Sequence, residues 1–356
     1  MRIFLLIILG CILAATVVFG SLMWFDEGFN VLFRQRVGLV RQGVLQTGGG
    51  ARPEISPDQW TLARQAARQF IPRFEELARE RADDPDTLLG LAFIYRFFPT
   101  RPHTYIAALD RVLIADPRNV AATALKTEHD AAVGLARVRY DIVIMDRILA
   151  SSRIAGTGRV RIGPEDEPFY SMVRPGDPFI DWRISSRAGP EGKAAYYIHD
   201  LAAARSAFLE RLYARLPQLL EPIRAAAAID PDNAFYDYLK AELCFEMGQM
   251  QMGLEFVRSA LSKSKLENYV DVARREAMRI MKAERLPRIC RDYISTAGID
   301  AKEYVLTQIC GAWLDMMADR LTAQDNIAAA RDMADLAQQV RQQCAIVPLA
   351  PDQQER

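Results

Sequence analysis

Histidine is almost missing from this chain. His103, His129 and His199 are the three it has, and they share no metal-ligand spacing. An excess of either charge is missing too: 45 basic residues face 45 acidic ones. A nucleic-acid binder needs a basic face for phosphates, so that class is set aside. The motifs of common chemistry are absent. There is no Gly-x-x-x-x-Gly-Lys-Ser/Thr, no Gly-x-Ser-x-Gly and no His-Glu-x-x-His. Gly156-Thr157-Gly158 lacks the third glycine and the following helix of a phosphate-binding turn. No catalytic residue, cofactor or metal ligand is assigned.

What is present is a chain of 356 residues, half of them apolar. That is enough for one large or two ordinary domains with a sizeable core, and it argues against global disorder. Residues 1–25 hold an uncharged apolar run from Ile3 to Phe25, as long as the roughly 20 residues that cross a bilayer as a helix. Trp24 and Phe25 close it with rings suited to the interface. The reading is one transmembrane anchor, with membrane contact through residues 3–25. Two alternatives are a signal peptide cut after Val18-Phe19-Gly20 and a lipid-modified Cys11, for which Leu9 is bulky. A very short tail before the span stays in the cytosol, which places the body on the periplasmic or extracytoplasmic side. Cys244, Cys290, Cys310 and Cys344 are then able to pair in an oxidising space, or to stay as buried thiols on helices.

Residues 26–50 set Phe29, Leu32, Phe33, Val37, Val40 and Val44 at helical spacing among arginines. They read either as a membrane-surface helix or as an extension of the anchor, ending in the Gly48-Gly49-Gly50 linker. Residues 51–150 are predicted helical, opening with a capping box at Ser56-Pro57-Asp58-Gln59 and split near Pro72. Val120 to Ala150 is either one helix or a hairpin. Residues 151–192 change character, with glycines and prolines throughout and β-like pieces at Arg159–Ile162 and Phe179–Ile184. Helices resume over 193–345, broken at Pro217 and Pro222, with Asp300 and Thr322 as caps. Residues 346–356 are a polar tail.

Three helix-like stretches end in Asp-Pro, at Asp84-Pro85, Asp116-Pro117 and Asp230-Pro231, and a new helix follows each at once. After the third, Gly248 sits at a turn between paired helices. Gly253, Val257, Ala260 and Leu261 supply small and apolar positions of the second helix, while Tyr238, Leu239 and Ala241 stand near the large, large and small positions of the first. Over Asp86 to Pro117, Leu89-Gly90 and Phe93 pair in the same way with Tyr105, Leu109 and Val112. These units resemble the tetratricopeptide repeat (TPR) in a degenerate form. The resemblance implies an all-α fold, an α-solenoid of antiparallel helical pairs whose groove binds a protein or peptide partner. A pair of this kind cannot bury itself alone, so neighbours stack.

Two further clusters are worth weighing. Cys244, Met247, Met250 and Met252 are soft ligands of the kind copper(I) takes, or fillers of irregular gaps at a repeat turn. In the insert, Glu165, Asp166, Glu167, Asp177 and Asp181 read as a solvated acidic loop, with arginines interleaved. Phe169, Tyr170, Phe179 and Trp182 are candidate partner contacts, because aromatic side chains dominate interface hot spots. The expected function is a membrane-anchored, non-enzymatic scaffold for protein contacts. The alternative is an enzyme accessory or hydrolase-like module whose site lies in 151–192.

Overall fold

The computed structural model describes residues 57–98, 104–154, 160–162, 176–178, 180–181, 196–297 and 302–345. The anchor, the 26–50 segment, most of the insert and the polar tail lie outside them. The chain divides into two units, Pro53–Asp300 on the one hand and Met1–Arg52 with Ala301–Arg356 on the other. Both are predominantly helical in their described parts, as the sequence predicts.

In the first unit the helices are α1 (Pro57–Arg68), α2 (Ile71–Glu80), α3 (Pro85–Phe97), α4 (Thr104–Ala115) and α5 (Val120–Ile154). After the insert come α6 (Leu201–Tyr213), α7 (Leu216–Ile229), α8 (Ala234–Glu246), α9 (Met250–Leu261), α10 (Val270–Ala283) and α11 (Arg288–Ala297). Val120 onward is thus one long helix, with no hairpin. The split near Pro72 is real, and Pro72 stands in the first turn of α2. So is the break expected at Pro217: α6 ends at Tyr213, and Pro217 takes a first-turn position of α7, where its missing N–H costs nothing. The break expected at Pro222 is not, for α7 continues through it.

Each Asp-Pro marks a helix start as well as an end. Asp84 caps α3 directly, its carboxylate accepting from the Thr87 backbone N–H (3.2 Å) and hydroxyl (2.7 Å). In the other two the cap is the asparagine that follows. Asn119 accepts from Ala122 N–H (3.0 Å) and Asn233 from Phe235 N–H (3.1 Å). Asp116 and Asp230 hold those asparagines through their side-chain amides, at 3.3 and 2.9 Å. At the third turn Asn233 also ties the chain before α10, donating to Glu267 carbonyl (2.7 Å) and accepting from Glu267 N–H (3.1 Å). Tyr269 enters α10 with a φ of 62°, a left-handed conformation unusual for a tyrosine, and its hydroxyl donates to Asp230 (2.6 Å).

The core lies along α3 and α8. Thr87 to Tyr95 are buried without interruption, and so is every residue of α8. A helix apolar around its whole circumference is an interior helix. The α8–α9 pair closes as the sequence suggests. Gly248 adopts a φ of 73° at the turn, and a Cβ on Gly253 would overlap the Phe245 ring. The packing order departs from a simple linear array, in which each pair touches only its chain neighbours. Helix α10 packs on α3, and α11 packs on α1. The Cys290 thiol donates to Ala63 carbonyl (3.4 Å), Arg73 pairs with Glu284 (3.0 Å), and Tyr293 meets Phe97 edge to face and Phe98 at a tilt. Helix α5 meets α4, α6, α7, α8 and α10.

A small antiparallel sheet joins the insert to the helices. Its order is β1 (Val160–Ile162), β3 (Tyr196–Ile198), β2 (Ile180–Asp181). Val160 and Ile180 both pair in register with Ile198, which is fully buried. The two β-like pieces seen in the sequence are therefore strands. The central strand lies past residue 192, where helix had been expected, and helices resume at Leu201.

In the second unit α12 (Lys302–Ala323) and α13 (Ile327–Ala345) form an antiparallel hairpin. Thr322 is not the cap of α13. Its hydroxyl bonds back to Ala318 carbonyl (2.9 Å) inside α12, and Asn326 caps instead, accepting from Ala329 N–H (3.3 Å). Asp325, at a φ of 61°, makes the turn.

Candidate functional site

Helix α8 carries charges into the interior, and each has an answer there. Asp237 is bonded by Lys240, by Lys263 (2.8 Å) and by the Ser259 hydroxyl (2.8 Å). Burial raises its pKa, but these donors outweigh burial and hold the carboxyl below the usual carboxylate range. One turn further on, Glu242 and Glu246 lie on one face of α8 and share Arg139 of α5. Arg139 Nη2 lies 3.3 Å from Glu242 and Nε lies 3.0 Å from Glu246. Burial pushes Glu242 up to about 7, Arg139 pulls it down and Glu246 raises it again. One guanidinium thus serves two buried carboxyl groups. Both are nearly sealed from solvent, so this is a buried strut between α5 and α8 rather than an open acid–base site. Next to it on α5, buried Asp141 pairs with Arg215 at 3.2 Å.

The opposite side of α5 faces outward and is also apolar. Val133 is 55% exposed, Tyr140 55% and Val143 59%, with exposed Ala136 between them and Arg137 alongside. The spacing of 133, 136, 140 and 143 is that of a single helix stripe, running about 15 Å along the axis. The inward face at Ala131, Leu135, Val138 and Ile142 is fully packed. Helix α5 is therefore apolar on two faces, and one of them is open.

Of the aromatic residues expected to contact a partner, Phe169, Tyr170, Phe179 and Trp182 all lie outside the described residues. The acidic loop is described at Asp177, and there the solvated reading fails. Asp177 is buried and receives a two-pronged bond from Arg211 of α6, at 2.9 Å through Nη1. Cys244 and Met247 are buried, whereas Met252 is 36% exposed, so the four sulfur residues do not share one environment. Burial pushes the Cys244 thiol up to about 12. Cys244, Cys290 and Cys310 are free thiols. His129 packs edge-on against Tyr105, with centroids 5.9 Å apart. Among the described residues no group of three or more His, Cys, Asp or Glu is placed to hold a metal.

The chain matches no protein-family model, no curated protein and no solved structure. No described helix is long and apolar enough to cross a membrane, and Ile3–Phe25 lies outside that description.

Sequence reading passed over both the Arg139–Glu242–Glu246 cluster and the α5 stripe. The stripe was legible as a second set of apolar positions at three- and four-residue spacing. Telling the inner set from the outer one required the packing. The pairing of Glu242 and Glu246 with Arg139 joins residues more than a hundred positions apart, and no local pattern carries that.

Proposed function

We propose that this protein is a membrane-anchored helical scaffold, without enzymatic activity, that holds a partner protein. Degenerate TPR-like pairs form its body, the apolar run 3–25 anchors it, and the body stands on the periplasmic or extracytoplasmic side. The observation that carries this reading is the open stripe of Val133, Ala136, Tyr140 and Val143 on α5. Aromatic and aliphatic side chains at i, i+3, i+7 and i+10 suit an amphipathic helix of a partner laid alongside. Tyrosine is favoured in such surfaces because its ring is apolar and its hydroxyl is content in water. The resemblance after Asp230-Pro231 supports the repeat reading. Gly248 and Gly253 occupy the turn and crossing positions it implies.

The test uses the full chain in native membranes with a photoreactive phenylalanine at position 140 or 143, and at exposed Arg258 of α9 as control. Adducts to one defined protein from 140 and 143, absent at 258 and abolished by Val133→Ser with Ala136→Ser, support the scaffold. Equal labelling at all three positions refutes it. A turnover lost on deleting 163–170 would instead favour a module with its site in the insert.

A further inference from the structure

Helix α12 is buried on more sides than its hairpin partner covers. Thr307, Gly311, Leu314 and Ala318 form one stripe. That stripe faces α13: a Cβ on Gly311 would lie 2.9 Å from Arg341 Nε, and Arg341 pairs with Asp315. A second stripe, Leu306, Ile309, Cys310, Trp313 and Met316, is also buried, at 0–6% exposure. Among the described residues α13 is the helix that packs extensively on α12, and its own buried positions are Ala330, Ala337 and Val340. A helix of ordinary width cannot cover both stripes of its neighbour. Something else seals Leu306 to Met316.

We propose that residues 29–44 of the same chain dock along this second stripe and complete a three-helix unit with α12 and α13. Residues Met1–Arg52 belong to the same compact unit as Ala301–Arg356. The segment repeats apolar residues at Phe29, Leu32, Phe33, Val37, Val40 and Val44, a stripe at least as long as the one to be covered. The segment carries Arg34, Arg36 and Arg41 between those apolar positions and no acidic residue. The membrane-surface role read from the same arginines is then replaced by an internal one. The hairpin is held within a few residues of the apolar run 3–25. This inference stands apart from the α5 surface and survives its failure.

The experiment uses the full chain in lipid nanodiscs. Cysteines are introduced one at a time at Val37 or at Gln35, each with Ile309→Cys, in a background where native cysteines are serine. The result expected is oxidative crosslinking of Val37→Cys with Ile309→Cys within minutes, and at least ten-fold slower crosslinking of Gln35→Cys on the far side of the segment. Separately, Val37→Asp should raise amide exchange over Leu306–Met316 at least ten-fold while Ala234–Glu246 keeps its protection. Absence of the crosslink with unchanged exchange overturns the proposal, and it does so whether the true cover is the lipid surface or another segment. If Val37→Asp also exposes α8, the variant has unfolded and the crosslinking pair decides.

Discussion

Gly90 in α3 and Ile280 in α10 lie closer than any side chain at position 90 would allow. A Cβ there would stand 2.7 Å from Ile280 Cδ1, 2.7 Å from Glu276 carbonyl carbon and 2.9 Å from Ala277 N. Two of those three atoms are backbone, which cannot step aside. In the sequence Gly90 fits a repeat in which it would serve its own hairpin. In the structure it serves a helix nearly two hundred residues later, and so fixes the return of the chain onto its beginning.

Gly90→Ala is therefore expected to destabilise by about 1–3 kcal/mol, as overpacking does. Gly134→Ala on α5 is the contrast. Its Cβ would meet only Leu219 Cδ2, at 2.9 Å, the movable end of a side chain. Helix propensity favours that change by up to about 1 kcal/mol. Urea denaturation of the two variants should give shifts of opposite sign, and equal shifts would contradict the α3–α10 contact.

Stability should carry a signature of Glu242. Its folded pKa of about 7 lies above its ordinary 4.5 because burial disfavours the charged form. Between those values the folded protein binds the extra proton. Its contribution is then full below about pH 4.5 and is lost as pH rises through about 7. Glu242→Gln should flatten the fall in denaturation midpoint between pH 5 and pH 8, an effect on the order of 1–3 kcal/mol. An unchanged slope would place the proton elsewhere.

Removing the shared guanidinium should cost more. Arg139→Met leaves Glu242 and Glu246 facing one another without a counter-charge. Breaking a buried pair in this way costs about 3–5 kcal/mol. The loss should be larger at pH 8 than at pH 5 and should be partly restored by Glu242→Gln. A double-mutant cycle on thermal midpoints measures the coupling, and strict additivity would show that the cluster does not act as a unit.

The two Asp-Pro-x-Asn turns should differ in weight. Asn119 caps α5 only, whereas Asn233, fully buried, caps α8 and makes two bonds to Glu267 before α10. Asn119→Ala should cost about 1 kcal/mol, as a lost cap does. Asn233→Ala should cost at least about 2 kcal/mol more, because buried backbone groups lose partners. Comparable losses would mean that the tie to α10 adds little.

Much of the local structure was legible in the residues. Asp84, Asn119 and Asn233 announce helix starts because a short side-chain oxygen reaches the free N–H groups of a first turn. Gly248 announces a turn because it alone tolerates that backbone sign without strain. Val160–Ile162 and Ile180–Asp181 show as strands amid the glycines and prolines of the insert. Where local reading failed, a distant partner had intervened. Pro222 remains inside α7 because α7 is clamped between α5 and α8. Asp177 leaves the solvent because Arg211 reaches it from α6. Of the candidate site, the stripe on α5 was written in the spacing of Val133, Ala136, Tyr140 and Val143, but not that it faces outward.

By itself the sequence determined an all-helical body, its punctuation and the place of its strand-bearing insert, because capping, turn geometry and periodicity act within a few residues. The tertiary structure decided which helix meets which. It brought α10 back onto Gly90, put Glu242 and Glu246 around one arginine, and left one of two apolar faces of α5 open. Those outcomes depend on contacts between residues far apart in the chain, where shape and charge are tested only once the helices are packed together.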